Sequence, residues 1–210
     1  MPLSNLWKSC HASVCCIRFS NQNSIRAVTA TGFKSGDFII TDAYSYKLQD
    51  FSHVQILFVG EDSTTVTAKI FITYQEFCHR ILNAGIDDPQ GFLVVLSDFD
   101  EFKNIPSLKL AKSRQRNIGD QVALIGFRCD HENLSIMSGI ISSVYYNNNQ
   151  RLVEVDSTVR QGCAGSPVIH AENHEVIGIV GFRLVTLHRS HNQMMKIIND
   201  NLKTLKEVEG

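Results

Sequence analysis

Short apolar runs bounded by turn residues recur from one end of the chain to the other. Eleven stand out: SVCCIRF, RAVTATGF, DFIITDAY, HVQILFV, TVTAKIFI, FLVVLS, QVALIGF, IMSGIISSVYY, LVEVDS, SPVIHA and VIGIVGFRLV. Runs of this length and composition read as β-strands. The segments between them, such as KSGD, GEDS, RNIGD, YNNNQR and AENHE, carry the Gly, Asn and Asp of tight turns. Hairpins therefore fit better than helical crossovers, and the pattern predicts an all-β fold.

Two stretches depart from it. YQEFCHRILNAG has apolar spacing suited to one short helix ended by Gly85. In SHNQMMKIINDNLKTLKEVEG, Ser190 is placed to cap a helix whose stripe is Met194, Ile197, Ile198, Asn201, Leu202 and Leu205. Residues 97–117 are polar with Pro106 inside, a composition suited to a crossover that divides the strands almost evenly. The expected organisation is an N-terminal barrel over 1–100, a linker over 101–117, a C-terminal barrel over 118–189 and a helix over 190–210.

A chain of 210 residues can bury a substantial core. Its 20 Lys and Arg against 21 Asp and Glu create no strong field, so nothing points to nucleic acid or anionic lipid as a partner. No apolar run reaches the length of a bilayer span, and MPLSNLWKSCHASVCC lacks a signal-peptide core. Cys10, Cys15, Cys16, Cys78, Cys129 and Cys163 form no C-x-x-C pair, which fits reduced thiols. An intracellular protein, cytoplasmic or nuclear, is the expectation. The eight histidines show no metal-ligand spacing, so neither a metal nor another cofactor is expected.

Taken in order, the segments resemble the trypsin-like (chymotrypsin-fold) serine protease family, above all its HtrA-type and viral branches that lack disulfides. The likeness runs from about Val14 to the last helix. TGFKSGDFIITDAY matches the hairpin that ends in the family's catalytic His, with Tyr44 in its place. GFLVVLSDFDEFKNIPSLKLA matches the strand headed by the catalytic Asp, with Gly91 at that position; Asp87 or Asp88 lies close by. Gly119 to Gly126 and Ser138 to Ser142 match two further strands, and Asp156 to Pro167 matches the nucleophile loop with Ala164 where the Ser belongs. Val176 to Arg183 matches the strand that lines the substrate groove.

The resemblance implies two six-stranded antiparallel β-barrels with a C-terminal helix. Its chemistry needs a hydroxyl or thiol nucleophile, an imidazole and a carboxylate. Ala164 supplies no nucleophile, Tyr44 is an ordinary phenol that stays protonated at neutral pH, and Gly91 has no side chain. Cys163 and Ser166 stand beside the nucleophile position, where the family's tight turn aims them away from the cleft. What survives the comparison is recognition: an oxyanion-like set of backbone N–H groups at Gly162, Cys163 and Ala164, and a peptide groove around Thr158, Gly181, Phe182 and Arg183. Thr158 at the base of the specificity pocket implies a preference for neutral side chains over Lys or Arg. The expected function is that of a catalytically inactive pseudoprotease binding protein partners, including extended peptide segments, as a scaffold or interaction module. The alternative is an intracellular serine-type endopeptidase whose nucleophile has been replaced by Ala164.

Overall fold

The computed structural model describes residues 3–21, 27–43, 45, 48–84, 91–112, 116–129, 133–147 and 150–181. Two curled antiparallel sheets dominate it. The first contains β1 (Val14–Ser20), β2 (Ala27–Ser35), β3 (Phe38–Asp42), β4 (His53–Val59), β5 (Val66–Thr73), β6 (Ile81–Ala84) and β7 (Phe92–Leu96), in the spatial order β5-β4-β1-β2-β3-β7-β6. The second contains β8 (Gln121–Phe127), β9 (Leu134–Asn147), β10 (Gln150–Asp156), β11 (Pro167–His170) and β12 (Val176–Ile179), in the order β10-β9-β8-β11-β12. Each of the eleven apolar runs overlaps one of these strands. The helix expected over 190–210 lies outside the described residues, as do Tyr44, Phe182 and Arg183.

Side chains of a strand alternate between its faces, and that alternation sorts the apolar residues into three cores. On β1, Cys15, Ile17 and Phe19 point into the first sheet's own interior, with Val54, Ile56 and Phe58 of β4. Val14 and Cys16 point the other way, into a core shared with Ala123, Ile125 and Phe127 of β8. The opposite face of β8, through Val122 and Leu124, fills the second sheet's interior with Ile141 and Val168. β1 and β8 are thus buried on both faces, so they read as nearly continuous apolar runs. The middle core joins the two sheets and fixes the cleft between them.

Two segments reinforce the junction. α1 (Leu3–Cys10), which the apolar pattern did not reveal, sends Leu6 and Cys10 into the shared core. Its Trp7 Nε1 donates to the Glu61 carbonyl of the first half at 3.2 Å, and Ser9 Oγ lies 2.8 Å from His174 Nδ1 of the second. The connection after β7 is similarly anchored. Phe102 enters the first core edge-on to Phe58, Leu108 enters the shared core, and the Leu108 N–H donates to the Lys34 carbonyl on β2. Lys109 and Ala111 then pair with Val176 at the head of β12. A polar composition therefore conceals a strap that hydrogen-bonds to both halves.

The helix read in YQEFCHRILNAG is shorter than the apolar spacing implied. α2 spans Tyr74–His79, with Thr73 as its N-cap, Oγ1 accepting from the Glu76 N–H. Ile81–Ala84 leaves the helix to form β6 beside β7. None of the six cysteines forms a disulfide, and Cys15 and Cys16 are buried in β1. Among the described residues no helix is long and apolar enough to cross a membrane.

Candidate functional site

The loop between β10 and β11 is two β-turns sharing a corner. The first runs Arg160-Gln161-Gly162-Cys163, closed by the Cys163 N–H donating to the Arg160 carbonyl at 3.1 Å. The second runs Cys163-Ala164-Gly165-Ser166, closed by the Ser166 N–H donating to the Cys163 carbonyl at 3.0 Å. Each has glycine in its third place with positive φ, Gly162 at 96° and Gly165 at 85°. A type II turn demands that conformation there, and glycine adopts it without steric cost. Space demands glycine as well: a Cβ on Gly162 would stand 2.6 Å from the Phe127 carbonyl oxygen, and one on Gly165 would collide with that of Thr31.

Thr31, on β2 of the first sheet, holds this loop of the second half in place. Its N–H donates to the Ala164 carbonyl at 2.8 Å. Its fully buried hydroxyl donates to the Gly162 carbonyl at 2.7 Å and accepts from the Phe127 N–H at 2.9 Å. Its carbonyl accepts from Thr41 Oγ1 at 2.7 Å. Further bonds run from the Gly165 N–H to the Val180 carbonyl and from the Cys129 N–H to the Gln161 carbonyl. Three peptide planes of the loop are therefore fixed from outside it.

The side chains on this frame divide sharply. Ala164, half-buried, occupies the second place of its turn and offers only a methyl group. Cys163 is wholly buried, and its thiol donates to the Phe127 carbonyl with Sγ and O 3.6 Å apart. Ser166 is equally buried, its Oγ lying against Gly126 so closely that no side chain fits there. Neither neighbour therefore turns its oxygen or sulfur toward the surface. Of the three residues expected to form an oxyanion-like nest, Cys163 has its N–H committed to Arg160, whereas among the described residues no acceptor meets the N–H of Gly162 or Ala164.

The remaining positions are placed as follows. Gly91 is buried, and its carbonyl accepts from the Ala43 N–H at 3.1 Å, which sets it beside the end of the hairpin that carries Tyr44. Asp87 and Asp88 lie outside the described residues. Thr158 is exposed on the approach to the loop, and Gly181 is exposed just beyond β12. Two groups escaped the sequence reading. Asp42, 4% exposed at the end of β3, has Oδ2 3.9 Å from where a Gly181 Cβ would stand, and its backbone nitrogen adjoins Gly165. A buried carboxylate thus enters the cleft from the strand before Tyr44. Thr31 was visible only as part of the Thr-Gly-Phe element, with nothing to announce its long-range bonds.

A double antiparallel sheet with this loop at its junction defines a class, and comparison with known proteins agrees. A family model for the trypsin-like peptidase domain matches residues 33–179, and the chain belongs to that family. No curated protein matches the chain. Among solved structures, the HtrA-type protease AlgW with tripeptide superposes with a TM-score of 0.63 at 16% identity, over 85% of this chain and 54% of AlgW's. Deg5 gives 0.62 at 17% identity, over 86% of this chain and 84% of its own. The Rv3671c protease from M. tuberculosis, in its active form, gives 0.56 at 18%, over 83% and 72%. These likenesses concern the fold, and this chain spans about half the length of AlgW's.

Proposed function

We propose that this chain is a catalytically silent member of the trypsin-like family that works by binding protein segments. The observation that carries the reading is the loop itself: every backbone bond that shapes it is made, while its outward side chain is the methyl of Ala164. Acyl transfer requires a nucleophile with a base to take its proton, and Ala164 and Tyr44 stand where the family keeps these groups. Cys163 is the nearest replacement, but its thiol is buried against the Phe127 carbonyl. Gly91 stands at the acid position, and Asp42 places a carboxylate in the cleft without a nucleophile for it to serve.

A frame kept in this detail supports recognition. Gly181, exposed beyond β12, continues an edge to which an extended segment can add main-chain hydrogen bonds. AlgW, which shares the fold, was solved with a tripeptide. Selection from a random peptide library displayed on phage tests the proposal. Peptides should enrich on the native protein and lose binding to Gly181→Pro, which deletes an edge N–H. Failure of any peptide to enrich, or enrichment indifferent to Gly181→Pro, would count against it.

A further inference from the structure

Resting on that reading, we infer that the loop captures the C-terminal carboxylate of its peptide. A β-turn pair in which two N–H groups, those of Gly162 and Ala164, meet no acceptor among the described residues, on either side of one committed to Arg160, is a backbone nest. Nests of this kind bind terminal carboxylates. The donors are also preorganised. The Gln161 carbonyl is held by the Cys129 N–H, which fixes the peptide plane carrying the Gly162 N–H; the Cys163 carbonyl is held by the Ser166 N–H, which fixes the plane carrying the Ala164 N–H.

The absent hydroxyl decides between an internal carbonyl and a terminal carboxylate. One ligand oxygen takes the two N–H groups in either case. A carboxylate brings a second oxygen, and at the half-buried methyl of Ala164 no side-chain oxygen stands in its way. Hydrogen bonds to an ionised acceptor are roughly twice as strong as those to a neutral one, so the nest favours the charged end. Among the described residues, the charged groups bordering the loop include Arg160, exposed at its first corner, Arg128, whose backbone lies beside Gly162, and Asp42, whose carboxylate faces Gly181. Arg160 favours the ligand, and Asp42 opposes it from the groove side.

The test uses the whole chain and a fluorescein-labelled Ala-Ala-Ala-Ala-Val peptide, as free acid and as C-terminal amide, followed by polarisation and by amide shifts in NMR spectra. The acid should bind roughly tenfold more tightly than the amide and move the Gly162 and Ala164 amide resonances. Ala164→Pro is the decisive variant. Proline suits the second place of a type II turn, so the change removes one donor and leaves the turn in place. It should weaken the acid more than the amide and so shrink the preference for acid over amide. Equal binding of acid and amide, a preference undiminished in Ala164→Pro, or competition by acetate as effective as by the peptide acid would each overturn the assignment. Equal binding would leave peptide recognition itself intact, which separates this inference from the proposal beneath it.

Discussion

Replacing Thr31 by valine keeps the shape of a β-branched side chain and deletes one hydroxyl. In the native protein that hydroxyl satisfies the Gly162 carbonyl and the Phe127 N–H, both across the junction of the two sheets. Valine leaves both backbone groups buried without a partner, at about 1–3 kcal/mol each. Because the two losses share one site and the loop can relax, about 2–4 kcal/mol is the expected total. Thr31→Ser keeps the hydroxyl and loses a methyl group, which costs about 1 kcal/mol. Urea denaturation of both variants against the native protein measures the difference, with an unchanged slope showing that the unfolded state is unaltered. Hydrogen exchange at the Phe127 amide reports on the bond directly, and exchange there should accelerate in Thr31→Val but not in Thr31→Ser. A serine variant less stable than the valine variant, or a Phe127 amide equally protected in both, would refute the reasoning.

Other consequences can be checked separately. Gly165→Ala forces a Cβ into the Thr31 carbonyl at positive φ, so thermal denaturation should show a loss of about 3 kcal/mol or more, whereas a change within about 0.5 kcal/mol would contradict the turn. Phe102→Ala empties a site packed edge-on against Phe58 in the first core, and a loss of about 3–5 kcal/mol is expected in the same measurement. In the turn before β5, Asp62 accepts the hydroxyl of Thr65 and the N–H groups of Thr65 and Thr64. The Thr65 hydroxyl first, then these N–H groups, lowers its pKa from 3.8 to about 2. Since the folded value is the lower, the turn's stabilisation is present above the unfolded value and is lost as pH falls through about 2; a carboxyl-carbon NMR titration should give that low midpoint, and one at the ordinary aspartate value would refute the bonds.

The strands were legible because burial on one or both faces writes itself into local composition. Val14 to Phe19 and Val122 to Phe127 are apolar almost throughout because each strand serves two cores. α1 was hidden because only Leu6 and Cys10 of its eight residues are buried, too few to mark a stripe. β6 was hidden because its four residues follow a true capping signal and continue the helix's apolar spacing, while their pairing with β7 is long-range. At the site, the match of Asp156 to Pro167 to the nucleophile loop pointed to a tight turn with Gly162 in its set of N–H donors. Thr31 and Asp42 did not announce themselves, since their roles depend on partners far along the chain, 96 residues away for Phe127 and 131 for Gly162 in the case of Thr31, that only the folded chain supplies.

The central claim, a retained frame without its chemistry, is tested most directly by incubating the purified protein with a mixed peptide library and reading the products by mass spectrometry. The account predicts intact peptides, with no fragments above those of a protein-free control. Cleavage that disappears when Cys163, or Cys129 beside the loop, is changed to alanine would contradict it and establish the protein as an enzyme.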